Sequence, residues 1–342
     1  MRTAVVICPG RGTYNAPELG YLAAHFPDAG MMADFEFQRL AGDQPSLASL
    51  DGASRYSVRT HGRGDNAAAL IYAASLGDFL ALDRSGIEVV AVTGNSMGWY
   101  TALACAGAFS AADGFRVANT MGGLMQAAMI GGQMVYPWVG EDWVPEPGVR
   151  AALLNLIAEI DSRPNHSLAL SIDLGGMMVV AGDRAGLAAF ETAVPPRKDR
   201  FPMRLANHAA FHTALQAPVA GRARAALPSA LFGQPALPVI DGRGTIWWPG
   251  ASARDALRDY TLGAQVTETY DFTRAVAVAA REFAPDLFVV PGPGTTLGGA
   301  VAQALILAGV QGLANRTDFK DLQSREPLVL SMGRPDQRAL VT

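Results

Sequence analysis

Short apolar runs, each closed by glycine, proline or a polar turn, alternate along this chain with longer stretches whose apolar positions recur at helical spacing. That alternation predicts strands and helices in turn, the order of an α/β protein. Residues 3–7 read as a first strand, stopped by the turn-rich loop Pro9-Gly10-Arg11-Gly12-Thr13, and residues 16–26 read as a helix. Residues 27–65 are polar, helix-prone and weakly periodic. Residues 66–82 carry a helical pattern and lead into a second apolar strand, Val89-Val90-Ala91-Val92. Directly after it stands Gly94-Asn95-Ser96-Met97-Gly98, followed by a small-residue helix that begins Trp99-Tyr100-Thr101-Ala102.

From Gly132 the rhythm changes. A strand over 133–139, a helix over 149–160, strands over 167–173 and 177–181, a helix over 185–193 and a strand over 201–206 give the order βαββαβ, that of a ferredoxin-like unit. The segments Pro145-Glu146-Pro147 and Pro195-Pro196-Arg197-Lys198 read as its surface loops. Beyond residue 207 the α/β pattern resumes, with strands near 237–240 and 287–290, a helix over 272–283 and a last helix over 297–308. Residues 318–342 read as a polar tail. At 342 residues the chain exceeds the usual single core, so the expected organisation is a parallel-sheet core of residues 1–131 and 207–342 carrying a small subdomain at 132–206.

Composition narrows the function classes. Only 17% of residues are charged and the net charge is -4, which leaves no broad basic surface for nucleic acid. No apolar run approaches the roughly 18 residues that span a bilayer, so no membrane partner is expected. The two cysteines, Cys8 and Cys105, sit in apolar segments and read as core residues of a reducing, cytoplasmic compartment.

A serine between glycines at a strand-to-helix corner is how α/β enzymes hold a hydroxyl nucleophile exposed, because the turn is too tight for side chains at the flanking positions. A bare Gly-x-Ser-x-Gly also arises by chance among 37 glycines, and the strand before and helix after are what lend it weight. Such a hydroxyl needs a base, most often histidine, and five are present. His25, His61 and His166 fall in a helix, a loop and a subdomain border, whereas His208 and His212 lie where the chain returns to the core. The i, i+4 spacing of that pair suits a metal, yet no His-Glu-x-x-His and no cysteine cluster accompanies it, so no metal is expected. His208 reads as a partly exposed loop residue and His212 as one held at the start of a helix. A histidine base predicts activity that rises through a pKa near neutrality.

With these pieces in order the chain resembles the malonyl-CoA:acyl carrier protein transacylases and the related acyltransferase domains of polyketide synthases. Cys8-Pro9-Gly10-Arg11-Gly12-Thr13 is similar to the family's Phe-Pro-Gly-Gln-Gly-Ser loop, and Gly94-Asn95-Ser96-Met97-Gly98-Trp99-Tyr100 to its Gly-His-Ser-Leu-Gly-Glu-Tyr elbow. Ala209-Ala210-Phe211-His212 resembles the catalytic histidine segment and Pro291-Gly292-Pro293-Gly294 the late Gly-Pro-Gly loop. The resemblance implies an α/β-hydrolase-like core with a parallel sheet and an inserted ferredoxin-like subdomain. It implies a Ser96–His212 dyad that forms an acyl-serine, an oxyanion hole from the backbone amides of Met97 and Arg11, and a backbone carbonyl at Gln265 that orients the histidine. Acyl-CoA is then a substrate, no cofactor is permanently bound, and an acyl carrier protein is the partner.

The departures concern the acyl group. The family's malonyl-selective members carry an arginine in the string Arg-Gly-x-Phe-Met-Gln, whereas this chain reads Met121-Gly122-Gly123-Leu124-Met125-Gln126. Met121 cannot pair a carboxylate, so an apolar acyl group becomes the natural reading. Arg11, in place of the family's glutamine beside the nucleophile, offers a carboxylate another route. Phe211 reads as a size filter or as plain packing, Asn95 and Trp99 replace the elbow's usual His and Glu, and Arg116 as a phosphate contact or a surface charge. Three functions compete: transfer of an acyl group from coenzyme A to a carrier-protein thiol, hydrolysis of acyl carrier proteins by the same dyad, and a non-catalytic docking role.

Overall fold

The computed structural model describes residues 1–342. Eleven strands follow one another as β1 (Arg2–Cys8), β2 (Ile87–Gly94), β3 (Gly132–Pro137), β4 (Leu168–Leu174), β5 (Met177–Gly182), β6 (Met203–Arg204), β7 (Val239–Ile240), β8 (Ile246–Trp247), β9 (Tyr270–Asp271), β10 (Leu287–Val290) and β11 (Val329–Ser331). Six of them form a sheet in the order β11-β10-β1-β2-β7-β8, parallel except at β8. Ala4 to Cys8 of β1 are wholly buried on both faces, which is why this strand reads as an unbroken apolar run.

The second sheet has the order β6-β3-β5-β4-β9. Its first four strands are antiparallel and take the strand order of a ferredoxin-like unit, with the helices Val149–Asp161 and Arg184–Ala193 between them in the chain. The fifth comes from elsewhere: β9 pairs parallel with β4, Ile172 opposite Tyr270 and Asp173 opposite Asp271. This short strand, unmarked in the sequence pattern, joins the small sheet to the chain that returns through the larger layer.

Parallel strands place their carboxyl ends on one edge, where an open α/β sheet binds ligands. Cys8, Gly94 and Val290 end β1, β2 and β10 there, so the loops beginning at Pro9, Asn95 and Pro291 share that edge. Val219, Leu262, Phe272 and Val301 join β1, β2 and β10 in the continuous apolar core beneath it. No helix is long and apolar enough to cross a membrane.

Three sequence expectations change. The helix over 16–26 is a 3-10 turn, Ala16–Glu18, and a short helix, Tyr21–His25, because Gly20 takes a left-handed φ of 85° between them. The strand over 201–206 shrinks to Met203–Arg204, since Pro202 has no N–H for the ladder and this edge is exposed. Residues 318–342 are no tail. The helix Arg316–Arg325 leads into β11 at the sheet edge, and Leu328, Leu330 and Val341 are buried. Their apolar run is too short to stand out among charged flanks.

A buried ion pair fastens this end. Asp78, wholly buried on the helix Gly64–Leu80, receives Arg338 along with the Tyr21 hydroxyl at 2.6 Å and the Gly292 amide at 2.7 Å. Removing the cation leaves a buried carboxylate uncompensated. Arg338→Met is therefore expected to lower the unfolding free energy by about 3 kcal/mol in urea melts, and an unchanged midpoint would show that the pair carries no weight.

Candidate active site

Ser96 sits where β2 turns into the helix Gly98–Cys105, with a positive φ of 57°. A non-glycine residue held there costs about 1–3 kcal/mol, and the strain is maintained by close backbone packing. A Cβ on Gly94 would strike the carbonyl carbon of Gly98, and one on Gly98 would strike the carbonyl of Cys8. A Cβ on Gly10 would lie 2.6 Å from the Asn95 carbonyl and 3.4 Å from Cβ of Ser96. Glycine at 10, 94 and 98 thus lets the first loop close against the elbow. The Asn95 amide donates to the Cys8 carbonyl at 2.9 Å and fixes that approach.

His212 reaches the elbow from the far side of the sequence. Its Nε2 lies 2.7 Å from Ser96 Oγ and its Nδ1 2.6 Å from the backbone carbonyl of Gln265. A carbonyl only accepts, so Nδ1 carries the proton, and the neutral ring keeps its lone pair on Nε2, toward the serine hydroxyl. Burial lowers the His212 pKa to about 4, against the Gln265 carbonyl, which raises it. The sequence expectation of a base titrating near neutrality is revised accordingly.

Gln265 holds both partners. Its carbonyl takes the imidazole, its side-chain Nε2 donates to the Ser96 carbonyl at 3.0 Å, and its Oε1 accepts from the Tyr100 hydroxyl at 3.0 Å. The residue follows a π-turn, Tyr260–Ala264, a wide helical turn of the kind found at functional sites. Tyr270 packs its ring 5.4 Å from that of His212 and donates to the Gly94 carbonyl at 2.6 Å. On the other side, Ser171 donates to the Phe211 carbonyl at 2.7 Å and accepts from Gln133 Nε2 at 2.7 Å. Strands β3 and β4 therefore hold the loop that carries His212.

The site opens into a cleft of about 460 Å³ between the two sheets. Gly10, Arg11, Asn95 and Ser96 form its floor, Val135, Ile172 and Val179 of the small sheet its apolar wall, and Phe211 its flank. The backbone N–H groups of Met97 and Arg11 donate to no acceptor within the chain. A hydroxyl that can pass its proton to a neutral imidazole, beside two unused amides, can attack a carbonyl and hold the resulting oxyanion.

Other residues singled out by sequence fall as follows. Asn95 and Phe211 line the cleft, whereas Met121 is buried at 1% exposure and does not. His208 is the partly exposed loop residue expected, and it is tethered: Nδ1 bonds Gln133 Oε1 at 2.7 Å, and desolvation with the neighbouring Arg11 charge lowers its pKa to about 3. Its nitrogens and those of His212 thus serve different partners. Arg116 lines a separate hollow with Gln38 and Asp113. Gln133, Ser171 and Tyr270 went unnoticed in the sequence, and Tyr100 was seen only as the last residue of the elbow motif, with no role assigned. Of the first three only Gln133 carried a signal, as a polar residue opening an apolar strand.

No family model matches the chain. The malonyl CoA-acyl carrier protein transacylase of Escherichia coli is 29% identical over 229 residues, which is 63% of this chain and 66% of that protein, a little under two thirds of its length. The malonyl-CoA:ACP transacylase of Synechocystis superposes over 99% of this chain and 100% of its own, with a TM-score of 0.75 at 18% identity. A malonyl-transacylase solved in complex with its type II PKS acyl-carrier protein superposes over 92% of this chain and 99% of its own, with a TM-score of 0.71 at 21% identity. The shared fold is that α/β-hydrolase-like core with a ferredoxin-like subdomain.

The steric argument at the elbow is open to test. Gly98→Ala sets a methyl against the Cys8 backbone, which cannot step aside as a side chain would. A loss of about 2 kcal/mol or more is expected in chemical denaturation; a variant as stable as the parent would show that the two segments pack less closely.

Proposed function

We propose that this chain, a member of the malonyl-CoA:acyl carrier protein transacylase family, is an acyltransferase that carries an acyl group from coenzyme A to the phosphopantetheine thiol of an acyl carrier protein through Ser96. One observation carries the reading: the line from Ser96 Oγ through the His212 ring to the Gln265 carbonyl, at 2.7 and 2.6 Å. The parallel-sheet layer supplies the chemistry in this account, and the subdomain of residues 132–206 supplies the acyl wall.

His212 Nε2 takes the hydroxyl proton as Ser96 Oγ attacks the thioester carbonyl. The oxyanion is held by the Met97 and Arg11 amides, which replacement of the family's glutamine by arginine leaves in place. As the tetrahedral centre collapses, the carbon–sulfur bond breaks and the departing sulfur takes the proton from Nε2. The carrier thiol then gives its proton to Nε2, attacks the acyl-serine carbonyl, and Ser96 recovers the proton on leaving. A neutral carbonyl behind the histidine stabilises the imidazolium less than a carboxylate would. A thiol is a good leaving group and asks less of its acid than an amine does.

Incubation with acyl-CoA thioesters is expected to add one acyl mass to the intact protein, mapped by peptide mass spectrometry to Ser96 and absent from Ser96→Ala. Transfer of that adduct to holo acyl carrier protein supports the proposal, while rapid release of free acid would instead favour hydrolysis. An adduct on another residue would defeat both readings.

The pH profile follows from the depressed base. A histidine lowered to about 4 is protonated, and so disabled, only as pH falls through that value. The kcat/KM for acyl-CoA is expected to stay flat from about pH 8 to about pH 5 and to fall tenfold per unit below about pH 4. An acid limb near pH 6.5 would mean that His212 is far less shielded from water than its position implies.

A further inference from the structure

His212 stands on a backbone that does not hold itself. Its φ of 55° lies in the left-handed region, which a residue with a Cβ occupies only where its surroundings impose it. Neighbours fix part of the loop: the Ala210 amide donates to the Ile130 carbonyl at 2.7 Å, and the Thr213 hydroxyl to the Ala210 carbonyl at 2.7 Å. The peptide plane between Phe211 and His212 is held separately. Its carbonyl takes one hydrogen bond from the chain, that of the Ser171 hydroxyl at 2.7 Å. The imidazole is carried on the next rotatable bonds, so a fixed plane is a condition for a fixed ring.

Ser171 has an unusual place in its strand. In β4, Leu170 lies opposite Val180 and Ile172 opposite Val179, which leaves Ser171 as the extra residue of a β-bulge. Bulges re-aim a side chain and gather beside active sites. The Thr269 hydroxyl donates to the Leu170 carbonyl at 2.6 Å, which ties the bulge to the segment that follows Gln265. Ser171 is wholly buried and Gln133 nearly so. An apolar pair would fill the same space without the cost of burying polar groups.

The hydrogen bonds form one chain with a single direction. The Phe211 carbonyl only accepts, so Ser171 spends its one hydrogen there and accepts from Gln133 Nε2 at 2.7 Å. That turns Gln133 Oε1 toward His208 Nδ1 at 2.7 Å, and the hydrogen of this last bond sits on the histidine. Turning the Gln133 amide over would set its oxygen against Ser171 and draw the hydroxyl hydrogen away from the Phe211 carbonyl. The chain thus runs from His208 and Gln133 on the cleft wall to the peptide of the base.

We propose that Ser171 and Gln133 are positioning residues of the acyl transfer, a relay from the small sheet that pins the Phe211–His212 peptide and so keeps the imidazole on Ser96. The ferredoxin-like unit then takes part in the chemistry as well as walling the cleft. This rests on the acyl-serine reading above and adds to it the means by which the base is held.

The test follows acylation of Ser96 by whichever of acetyl-CoA and malonyl-CoA acylates the parent protein faster, with rates referred to the molecules that acylate at the end point, so that unfolded protein drops out. Ser171→Ala is expected to lower the maximal rate by roughly 10- to 100-fold, the scale of an ångström-sized misplacement of a reacting group, with the half-saturating thioester concentration within about twofold of the parent. Its acid limb is expected to rise from about pH 4 toward the ordinary histidine range, because a ring released from its place meets water. Threonine and valine share one shape, so Ser171→Thr is expected to outpace Ser171→Val by a similar factor. Where Ser171→Ala does not fold, Gln133→Met reads the relay from its other end through the same rise of the acid limb. Parental rates and pH profile in Ser171→Ala, or equal rates in the threonine and valine variants, would overturn the role of the relay and leave the acyl-serine chemistry standing. No adduct at Ser96 in the parent protein would remove both.

Discussion

The hydrogen bond between His212 Nδ1 and the Gln265 carbonyl is the contact on which the site depends. A carbonyl accepts and never donates, so this one bond fixes the tautomer, turns the lone pair toward Ser96 and orients the ring. Burial then keeps the ring neutral, at the expense of its basicity. The same glutamine ties Ser96 through its side chain, so Ser96 and His212 are referenced to one residue and not merely to each other.

Much of the fold can be read as the means of bringing these residues together. Parallel pairing of β1 with β2 puts the ends of both strands on one edge, and glycines let the loop at Gly10 approach the elbow. Strand β9 joins the small sheet close to Gln265, while Gln133 and Ser171 hold the Phe211 carbonyl from β3 and β4. The two sheets therefore enclose the cleft as one framework, and the loop of His212 is fixed from both.

The sequence disclosed the parts of this arrangement that depend on local pattern. The elbow was legible because strand, glycine, serine, glycine and helix are contiguous, and the ferredoxin-like unit because its apolar periods change from two to near four and back. His212 was legible through its neighbours Ala210 and Phe211. What stayed hidden depends on distance in the chain. Tyr270 meets Gly94 across 176 residues, and the ion pair of Asp78 with Arg338 spans 260, so no window along the sequence could show either. The burial of β11 escaped for the same reason: three residues become a strand only when β10 lies beside them.

The central claim is that the neutral His212 ring keeps its proton on Nδ1 and faces Ser96 with a bare Nε2. Nitrogen-15 imidazole NMR of the resting protein at neutral pH tests it most directly, with His212→Gln used to assign the ring. A protonated Nδ1 coupled to a bare Nε2 is the predicted result. A protonated Nε2, or a fully protonated imidazolium, would contradict the account, because a ring in either state cannot take the proton from Ser96.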